Sequence, residues 1–525
     1  MARLQIDVGA PIHEKEDAAW DAIIAANRRD PDAPEVMRRG NRALARLGAD
    51  GELDAFDVPK LRRRLSQEAA FGSEARDGGW SPKDPPKDVA LGLLAGDERT
   101  HPGAPPVERV VSVPSLGPSL ELQTRPGYQP DSRTYYVPAP GLDGVAPPDE
   151  ITTEDVEEAR ELLLTDLLGD FGFADDASRA HALALVLLPF VRDAIDGPTP
   201  MQVILAPDMG SGKTTLAQAA LLPGCGIVPA EAGAGDDAEW RKRITSLLLA
   251  GRSAVILDNL TGRLDSAPLA AALTSDWWQD RVLGESRTVR LPVRNIWAIT
   301  GNNLQMADDQ VRRSVPIFLD PGEVRPADRP RDAFRHVDLL AWARRNRRDL
   351  VRAALTLVEH WRRGPAMVEG GYVYVRSGQD PLQGRKTMGS YEAWARVMGG
   401  ILESCGMPGF LDNRDRLREE ADEETRETAV FLAAMKPIAE GRGGLRFPEV
   451  KELVQMGGEL SAAAPAEIAD VPPGKLTGVL KPWLSRLKDK PVGGLRLRNV
   501  KLKAQGHPRA WYVTEASDAP WPADE

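Results

Sequence analysis

The chain has 525 residues, of which 42% are hydrophobic and 28% are charged, and its formal net charge is −11. That length exceeds a single core and predicts two to four domains. The acidic balance excludes a uniformly basic coat for nucleic acid but leaves room for a local basic surface. The two cysteines, Cys225 and Cys405, lie far apart and the six histidines are scattered, so neither a disulfide framework nor a zinc site is expected.

The start of the chain, MARLQIDVGAPIHEKEDAAW, has no basic segment followed by an apolar core. It is therefore not expected to act as a secretory signal. No apolar run is long enough to cross a bilayer. Together with the low cysteine content, these observations predict a cytoplasmic protein with no membrane partner.

The first 75 residues have the patterns of helices and short strands. Trp20, Ile23 and Ile24 share one face of a predicted helix, and residues 61–70 form a second one. Prolines are dense over residues 78–148, which disfavours long helices and favours short strands joined by turns. An extended connector and a compact subdomain both remain open for this segment.

Two helices are predicted before the most informative motif of the chain. Thr152 and Asp155 form a capping-box pattern, and Val156 and Leu162 follow on the apolar face of an amphipathic helix. A second helix is predicted over residues 178–195. The next apolar run, from residue 202, is predicted to be a strand.

Residues 202–216, QVILAPDMGSGKTTL, combine this strand with a Gly-rich turn and the start of a helix. Such a turn points backbone N–H groups at a phosphate, and the helix N-terminus adds its positive dipole end. Lys213 is expected to reach the β- and γ-phosphates of ATP, and the hydroxyl of Thr214 is expected to hold Mg²⁺. The usual motif has glycine five positions before Gly212, where this chain has Pro207. The predicted nucleotide-binding residues are Asp208, Met209, Gly210, Ser211, Gly212, Lys213, Thr214 and Thr215.

After this loop, strand-like runs at 253–257, 295–299 and 315–319 alternate with helices. This alternation predicts a mainly parallel sheet with helices on both faces. Asp258 follows the first run at the edge where open α/β sheets bind ligands. Its carboxylate is expected to hold Mg²⁺ through water, together with Thr214.

Asn259 occupies the position where many ATPases carry a glutamate that activates the attacking water. Because an amide cannot act as a base, two possibilities remain open. Either Asn259 orients the water, or a carboxylate such as Glu239 or Asp276 activates it.

The strand NIWAITGNN ends in Asn302 and Asn303, and the segment DDQVRRSVPIFLD places Arg312 and Arg313 before another strand. An amide at a strand end beside the phosphate loop can bind the γ-phosphate or the lytic water, although Gly-Asn-Asn is also good turn chemistry. Arginine suits the charge of a transferring phosphoryl group. The preferred interpretation is an arginine finger that a neighbouring subunit supplies, which implies a ring. The alternative is a solvated charged pair.

The order PDMGSGKTT, VILDNL, TSDWWQDRVLG, AITGNN and QVRRSVPIFLD resembles the AAA+ ATPases of superfamily 3 helicase type. It is most similar to those of phages, prophages and integrative elements, which often accompany a primase. The resemblance extends through RRDLVRAALTLVEHW and GSYEAWARVMGGILESCGMPGFL, and so covers residues 110–425. It implies a bacterial host cell, a homo-oligomer, expected to be a hexamer, and a primase as a possible partner. Residues 1–150 carry no recognisable primase motif, so primer synthesis by this chain is not expected.

The resemblance also implies roles for individual residues. Lys213 and Thr214 would contact phosphate and Mg²⁺, Asp258 would be the metal-side acid, Asn302 a sensor, and Arg312 or Arg313 the finger. In this family, a basic hairpin between the Asp and Asn strands projects into the central channel. The basic residues in that interval, which would contact single-stranded DNA, are Arg281, Arg287, Arg290 and Arg294.

The C-terminal tail is strongly basic within an acidic chain. Residues 475–511 contain ten basic residues and one acidic residue, Asp489. A helical pattern over 475–488 is followed by LRLRNVKLK, a turn at Gly506 and RAWYV, which predicts a winged helix that binds duplex DNA. The candidate contacts are Lys475, Lys481, Arg486, Lys488, Arg496, Arg498, Lys501 and Lys503.

These observations predict an α/β protein with an AAA+ P-loop core, helical regions before and after it, and a C-terminal winged helix. The predicted parts are an N-terminal accessory region (1–110), a Pro-rich connector or small β region (111–150), the ATPase domain (151–330), a helical domain (331–425) and the winged helix (426–525). The predicted function is an ATP-dependent DNA helicase or replication-initiation ATPase of a phage or mobile element. The alternatives are an ATP-switched DNA-binding regulator that does not unwind DNA, and a small-molecule P-loop kinase.

Overall fold

A computed structural model gives the fold of the chain in two compact units, residues 1–414 and 415–525. The residues that it describes are 3–40, 43–48, 51–75, 78–207, 210–281, 288–302, 304–320, 330, 332, 334–363, 387–501 and 509–516. Among them, no helix is long and apolar enough to cross a membrane.

The N-terminal region packs three helices against two three-stranded sheets. The elements are β1 (Leu4–Asp7), α1 (Ile12–Arg29), β2 (Met37–Arg39), β3 (Ala43–Leu47), β4 (Leu53–Ala55), α2 (Val58–Glu68), β5 (Ala69–Glu74), β6 (Trp80–Pro82) and α3 (Lys87–Ala95). The buried face of α1 contains Trp20, Ile23 and Ile24, as the apolar spacing predicts. The helix predicted over residues 61–70 ends two residues earlier than expected. It stops at Glu68 because the following residues become extended in β5, which pairs in parallel with β1.

The Pro-rich segment contains short strands rather than helices. They are β7 (Arg109–Val111), β8 (Ser115–Leu116), β9 (Leu122–Gln123), β10 (Gly127–Gln129) and β11 (Thr134–Tyr136). Strand β11 pairs in parallel with β7 and antiparallel with β10. Because Tyr128 and Tyr135 are buried together with Met37, Ala45 and Leu53 of the N-terminal strands, this segment packs into a core rather than forming an open connector.

The helices before the central sheet follow the expected order. They are α4 (Thr153–Arg160), which continues as a π-helical stretch (Glu161–Leu167), then α5 (Asp176–Val191) and a 3₁₀ turn (Arg192–Ala194). The capping box is confirmed, since Thr152 accepts from the N–H of Asp155 and Asp155 accepts from the N–H of Thr152. Helix α5 is buried along almost its whole length and forms the centre of the main core.

The main sheet has five parallel strands, in the order β13-β14-β18-β12-β20. The parallel sheet predicted from the alternation of strands and helices is therefore confirmed. The elements of this region are β12 (Met201–Ala206), α6 (Lys213–Cys225), β13 (Ala230–Ala232), α7 (Asp237–Ala250), β14 (Ala254–Leu260), β15 (Arg263–Leu264), α8 (Ala267–Thr274), β16 (Trp277–Arg281), β17 (Thr288–Pro292), β18 (Ile296–Asn302), β19 (Gln305–Met306), α9 (Asp308–Val311) and β20 (Ser314–Phe318).

Three helices follow the sheet in the described residues of the first unit. They are α10 (Leu339–Arg345), α11 (Arg347–Arg363) and α12 (Glu392–Ser404). The apolar face of α11 joins the core formed by α4, α5 and α6. These helices therefore pack on the side of the sheet that carries α6.

The second unit combines helices with a small antiparallel sheet. Its elements are α13 (Arg414–Arg442), α14 (Phe447–Gln455), α15 (Glu459–Ala462), α16 (Ala466–Ala469), α17 (Leu476–Leu487), β21 (Pro491–Val492), β22 (Leu495–Lys501) and β23 (Arg509–Glu515). Phe431 and Trp483 meet edge to face at 5.1 Å in its core. The predicted helix and two strands are present, whereas the Gly506 turn lies outside the described residues. The boundary expected at 425/426 falls inside α13.

Candidate functional site

The carboxyl ends of three neighbouring strands bring the predicted site residues to one edge of the sheet. Strand β18 lies between β12 and β14, and Asn302 is in register with Ala206, the last residue of β12. Asp258 lies near the end of β14, on the other side of β18. The phosphate loop therefore begins one strand away from Asn302 and two strands away from Asp258.

The loop between β12 and α6 needs glycine at two positions. Gly210 and Gly212 have φ angles of 76° and 82°, a region that glycine adopts without steric penalty. Lys213 starts α6 with only 7% of its surface exposed, and its Nζ donates to Oγ of Ser211 at 2.8 Å. Thr215 is half-buried in the first turn. The predicted residues Asp208 and Met209 lie outside the described residues.

Phe171 borders the same loop and could not be found from the motif. A Cβ atom at position 212 would lie 3.3 Å from its ring. Gly212 is therefore required for its left-handed backbone and also for the space beside this ring. Phe171 precedes α5 in the chain, so only the tertiary fold brings it to the phosphate loop.

Two hydroxyl groups converge on the carboxylate of Asp258. Thr214 Oγ1 donates to Asp258 Oδ1 at 2.6 Å, and Thr300 Oγ1 donates to the same oxygen at 2.5 Å. The contact between Thr214 and Asp258 joins two residues that the sequence assigns to one metal-binding function. Thr300 was not predicted, since a threonine within an apolar strand is ordinary β-sheet composition.

Asn259 adopts a left-handed conformation with a φ of 54°, next to an irregularity in the pairing of β14 with β18. Asparagine tolerates this region better than most residues, which gives a conformational reason for its presence. Its N–H donates to Oγ1 of Thr300 at 2.9 Å, and its Oδ1 accepts from Nδ2 of Asn302 at 2.9 Å. Asn303, the other predicted amide, lies outside the described residues.

The two carboxylates considered for water activation lie at different edges of the sheet. Glu239 is in the first turn of α7, which follows the carboxyl end of β13, and it pairs with Lys242 at 2.6 Å. Asp276 lies at the opposite edge, because its carbonyl accepts from Val293, just before β18 begins. Asp276 is therefore too far to act on the site of its own chain.

Arg312 and Arg313 also lie at the edge opposite the phosphate loop. They precede β20, whose first residue, Ser314, is in register with Met201 at the start of β12. The length of β12, at about 3.3 Å per residue, separates them from the loop by nearly 20 Å. Within one chain, the structure does not bring these arginines to the other predicted residues.

The two arginines differ in exposure. Arg312 is 62% exposed, whereas Arg313 is 14% exposed and donates to the carbonyl of Asp309. Burial raises the pKa of the Asp309 carboxyl, but hydrogen bonds from Arg313 and Arg312 outweigh this effect and lower it below its ordinary value. Arg312 is thus the one presented to solvent, while Arg313 fixes the turn before β20.

Strands β16 and β17 form an antiparallel hairpin between the Asp and Asn strands. Trp278 anchors it to α7 by donating from Nε1 to Oγ1 of Thr245 at 2.8 Å. Arg281 and Arg290 are exposed, and Arg290 lies 4.6 Å from the ring centre of Trp277. The tip, with Arg287, lies outside the described residues. Arg294 follows the hairpin and pairs with Glu108 at 2.9 Å.

The basic residues of the second unit fall into two groups. Arg496 donates to the carbonyl of Ala516, and Arg498 pairs with Asp489 at 2.8 Å and is only 12% exposed. These two are therefore tied to the fold. The exposed candidates are Lys475, Lys481, Arg486, Lys488 and Lys501. Lys503 lies outside the described residues.

Comparisons with known proteins give little beyond this geometry. No protein-family model matches the chain, and no curated protein matches it significantly. Among solved structures, the chain is similar to one described as "SCCmec type IV Cch - active helicase", with a TM-score of 0.31 and 13% sequence identity over 79% of each chain.

Proposed function

We propose that this chain is an ATP hydrolase that couples hydrolysis to movement along DNA, as a helicase or replication-initiation ATPase of a phage or mobile element. The observation that carries the proposal is the hydrogen bond between Thr214, from the phosphate-loop helix, and Asp258, from the end of β14. These are the two side chains that hold Mg²⁺ in P-loop ATPases. Their contact across two elements supports one nucleotide site rather than two unrelated motifs.

The donor set fits Mg²⁺. A hydroxyl and a carboxylate are hard oxygen ligands, and Mg²⁺ is commonly held by one or two such groups together with phosphates and water. Bound with ATP, Mg²⁺ would neutralise charge that develops on the phosphates. Thr214 and Asp258 would hold it, and Lys213 would balance the remaining negative charge.

The amide pair formed by Asn259 and Asn302 would orient the attacking water. Each side chain offers an N–H donor and a carbonyl acceptor, so together they can fix the direction of a water molecule. Neither can remove its proton. Glu239, on the same edge of the sheet, is the proposed base.

The opposite position of Arg312 supports a ring. Because this exposed arginine lies at the far edge of its own sheet, it could serve only the site of a neighbouring copy. An arginine supplied in trans stabilises the charge of the transferring phosphoryl group. A homo-oligomer, proposed as a hexamer, would place one such arginine at each site.

Two basic surfaces would bind DNA. Arg281 and Arg290 on the hairpin would contact the phosphates of single-stranded DNA in the ring. The exposed cations on and after α17 would bind duplex DNA through a winged helix. A primase is a further possible partner.

An ATP-switched DNA-binding regulator is the second candidate. Asn259 favours it, because an asparagine beside Asp258 suits slow hydrolysis, and slow hydrolysis suits a switch. Such a protein would bind DNA in an ATP-dependent manner without displacing a strand. A small-molecule kinase would instead yield a phosphorylated product, and its activity would not respond to DNA.

The proposal is tested by ATP turnover with and without single-stranded DNA, in the wild type and in Lys213→Ala. We expect DNA-stimulated turnover in the wild type and none in the variant. Turnover that survives the loss of Lys213 would remove the phosphate loop from the mechanism.

A further inference from the structure

Thr300 connects two parts of the candidate site through one hydroxyl. It is 1% exposed and lies in β18, two residues before Asn302. Its Oγ1 donates to Oδ1 of Asp258 and accepts from the N–H of Asn259. A threonine hydroxyl has one donor hydrogen and two acceptor lone pairs, so it can make both contacts at once.

The two threonines that reach Asp258 share one of its oxygens. Thr214 and Thr300 both donate to Oδ1, and within the described part of the chain no hydrogen bond reaches Oδ2. Thr214 would give up its contact to Oδ1 on binding a metal ion. Thr300 lies inside a buried strand and would keep its own contact.

We propose that Thr300 is a positioning residue that orients the Asp258 carboxylate, with Oδ2 directed to the divalent metal ion of the nucleotide. This inference rests on the proposed function, because it requires that Asp258 serves a metal. Hydrogen-bond partners of metal-binding carboxylates fix the orientation of the ligand, and their loss typically lowers metal affinity 10- to 100-fold. The same hydroxyl holds Asn259 in its left-handed conformation beside the site.

The test measures metal binding rather than turnover. The full chain is mixed with the non-hydrolysable analogue AMP-PNP, and the Kd for Mn²⁺ is obtained from the electron paramagnetic resonance signal of free Mn²⁺. We expect Thr300→Val to raise this Kd about tenfold or more, and Thr300→Ser to stay within about twofold of the wild type. Binding of AMP-PNP without metal should be the same in all three proteins.

A matched control separates metal positioning from the general effect of losing a buried hydroxyl. Thr356 is 2% exposed in α11, where its hydroxyl donates to the carbonyl of Arg352 at 2.9 Å. Thr356→Val should leave the Mn²⁺ Kd unchanged. If Thr300→Val does not fold, Thr300→Ala carries the same expectation, with Thr300→Ser as its rescue.

The measurements distinguish failure of the positioning role of Thr300 from failure of the proposed function. An equal Mn²⁺ Kd in Thr300→Val and the wild type would overturn the positioning role and leave the proposed function standing. A wild-type chain that binds no AMP-PNP would overturn the proposed function and the positioning role together. If the Mn²⁺ Kd of Thr300→Ser is raised as much as that of Thr300→Val, the role assigned to the hydroxyl is also contradicted.

Discussion

Asn259 combines a conformational role with a chemical one. Its φ of 54° lies where asparagine and glycine are favoured, and its side chain contacts Asn302. A glutamate at this position would carry a base, but it would adopt the left-handed conformation at a cost of about 1–2 kcal/mol. The residue therefore suits the backbone of this site better than it suits proton transfer.

Replacing Asn259 by glycine separates these two roles. Glycine accepts the left-handed backbone, so the melting temperature should change little. The side-chain amide is lost, and kcat for ATP should fall by up to about 10²-fold if the amide orients water. Steady-state turnover and thermal melting measure the two effects. An unchanged kcat would exclude Asn259 from hydrolysis.

Glu239→Gln is the companion variant. If Glu239 is the base, kcat should fall by about 10²-fold or more while AMP-PNP binding stays unchanged. A kcat equal to that of the wild type would exclude Glu239 as the base.

Arg312 and Arg313 should respond differently to replacement by alanine. Arg312→Ala should lower ATP turnover by about 10³-fold with little change in melting temperature, because this side chain is exposed. Arg313→Ala should lower the melting temperature, since the side chain holds the turn through Asp309.

The ring predicts complementation between two inactive variants. Mixing Arg312→Ala with Asp258→Ala should restore part of the ATP turnover, because some interfaces then pair an intact arginine with an intact carboxylate. Mixtures that stay as inactive as each variant alone would contradict an arginine supplied in trans.

At the scale of secondary-structure elements, α5 joins the sheet to the segment that precedes α13. His181 on α5 is fully buried, with Nδ1 next to the carbonyl of Pro316 at 2.7 Å and Nε2 accepting from the N–H of Leu411 at 3.0 Å. Burial lowers the pKa of His181 to about 4. The neutral imidazole is thus the form that these two contacts require.

This buried histidine predicts a pH dependence of stability. Its folded pKa of about 4 lies below the ordinary value of 6.5, so the folded state disfavours the proton that the unfolded state accepts. Its stabilising contribution is complete above about pH 6.5 and is lost as the pH falls towards 4, by an amount on the order of 3 kcal/mol. His181→Gln should be less stable at pH 7.5 and should lose less on acidification to pH 5. An equal loss of melting temperature between pH 7.5 and pH 5 in the two proteins would contradict this explanation.

Local patterns predicted much of the architecture but only part of the site. The strand before Pro207, the glycines of the loop and the acid near the end of β14 can be recognised because each depends on neighbouring residues. The contacts of Thr300 and Phe171 depend on strand order and on packing across the chain. For the same reason, the sequence alone does not place Asp276 at the sheet edge opposite the phosphate loop. That placement depends on the parallel register of β18.

At the scale of the whole molecule, positive charge is concentrated in residues 475–511, which hold ten basic residues and one acidic residue within an acidic chain. The exposed candidates there are Lys475, Lys481, Arg486, Lys488 and Lys501. If all five contact phosphates, the logarithm of duplex affinity should fall with the logarithm of salt concentration with a slope of about −4.5. Fluorescence anisotropy with the full chain measures this slope.

A double variant tests which cations contribute. Lys475→Gln with Lys481→Gln should reduce the magnitude of the slope by about 1.8. Arg498→Gln is the control, because Arg498 is tied to Asp489 and should affect melting more than the slope. A slope that is unchanged in the double variant would place duplex binding elsewhere on the chain.

We propose that ATP hydrolysis at the phosphate loop drives movement of this chain along DNA. The most direct measurement is ATP-dependent displacement of a labelled strand from a forked duplex, with the wild type and Lys213→Ala compared at equal concentration. We expect displacement by the wild type and none by the variant. Displacement that survives in Lys213→Ala, or a wild type that hydrolyses ATP on DNA without separating the strands, would contradict it.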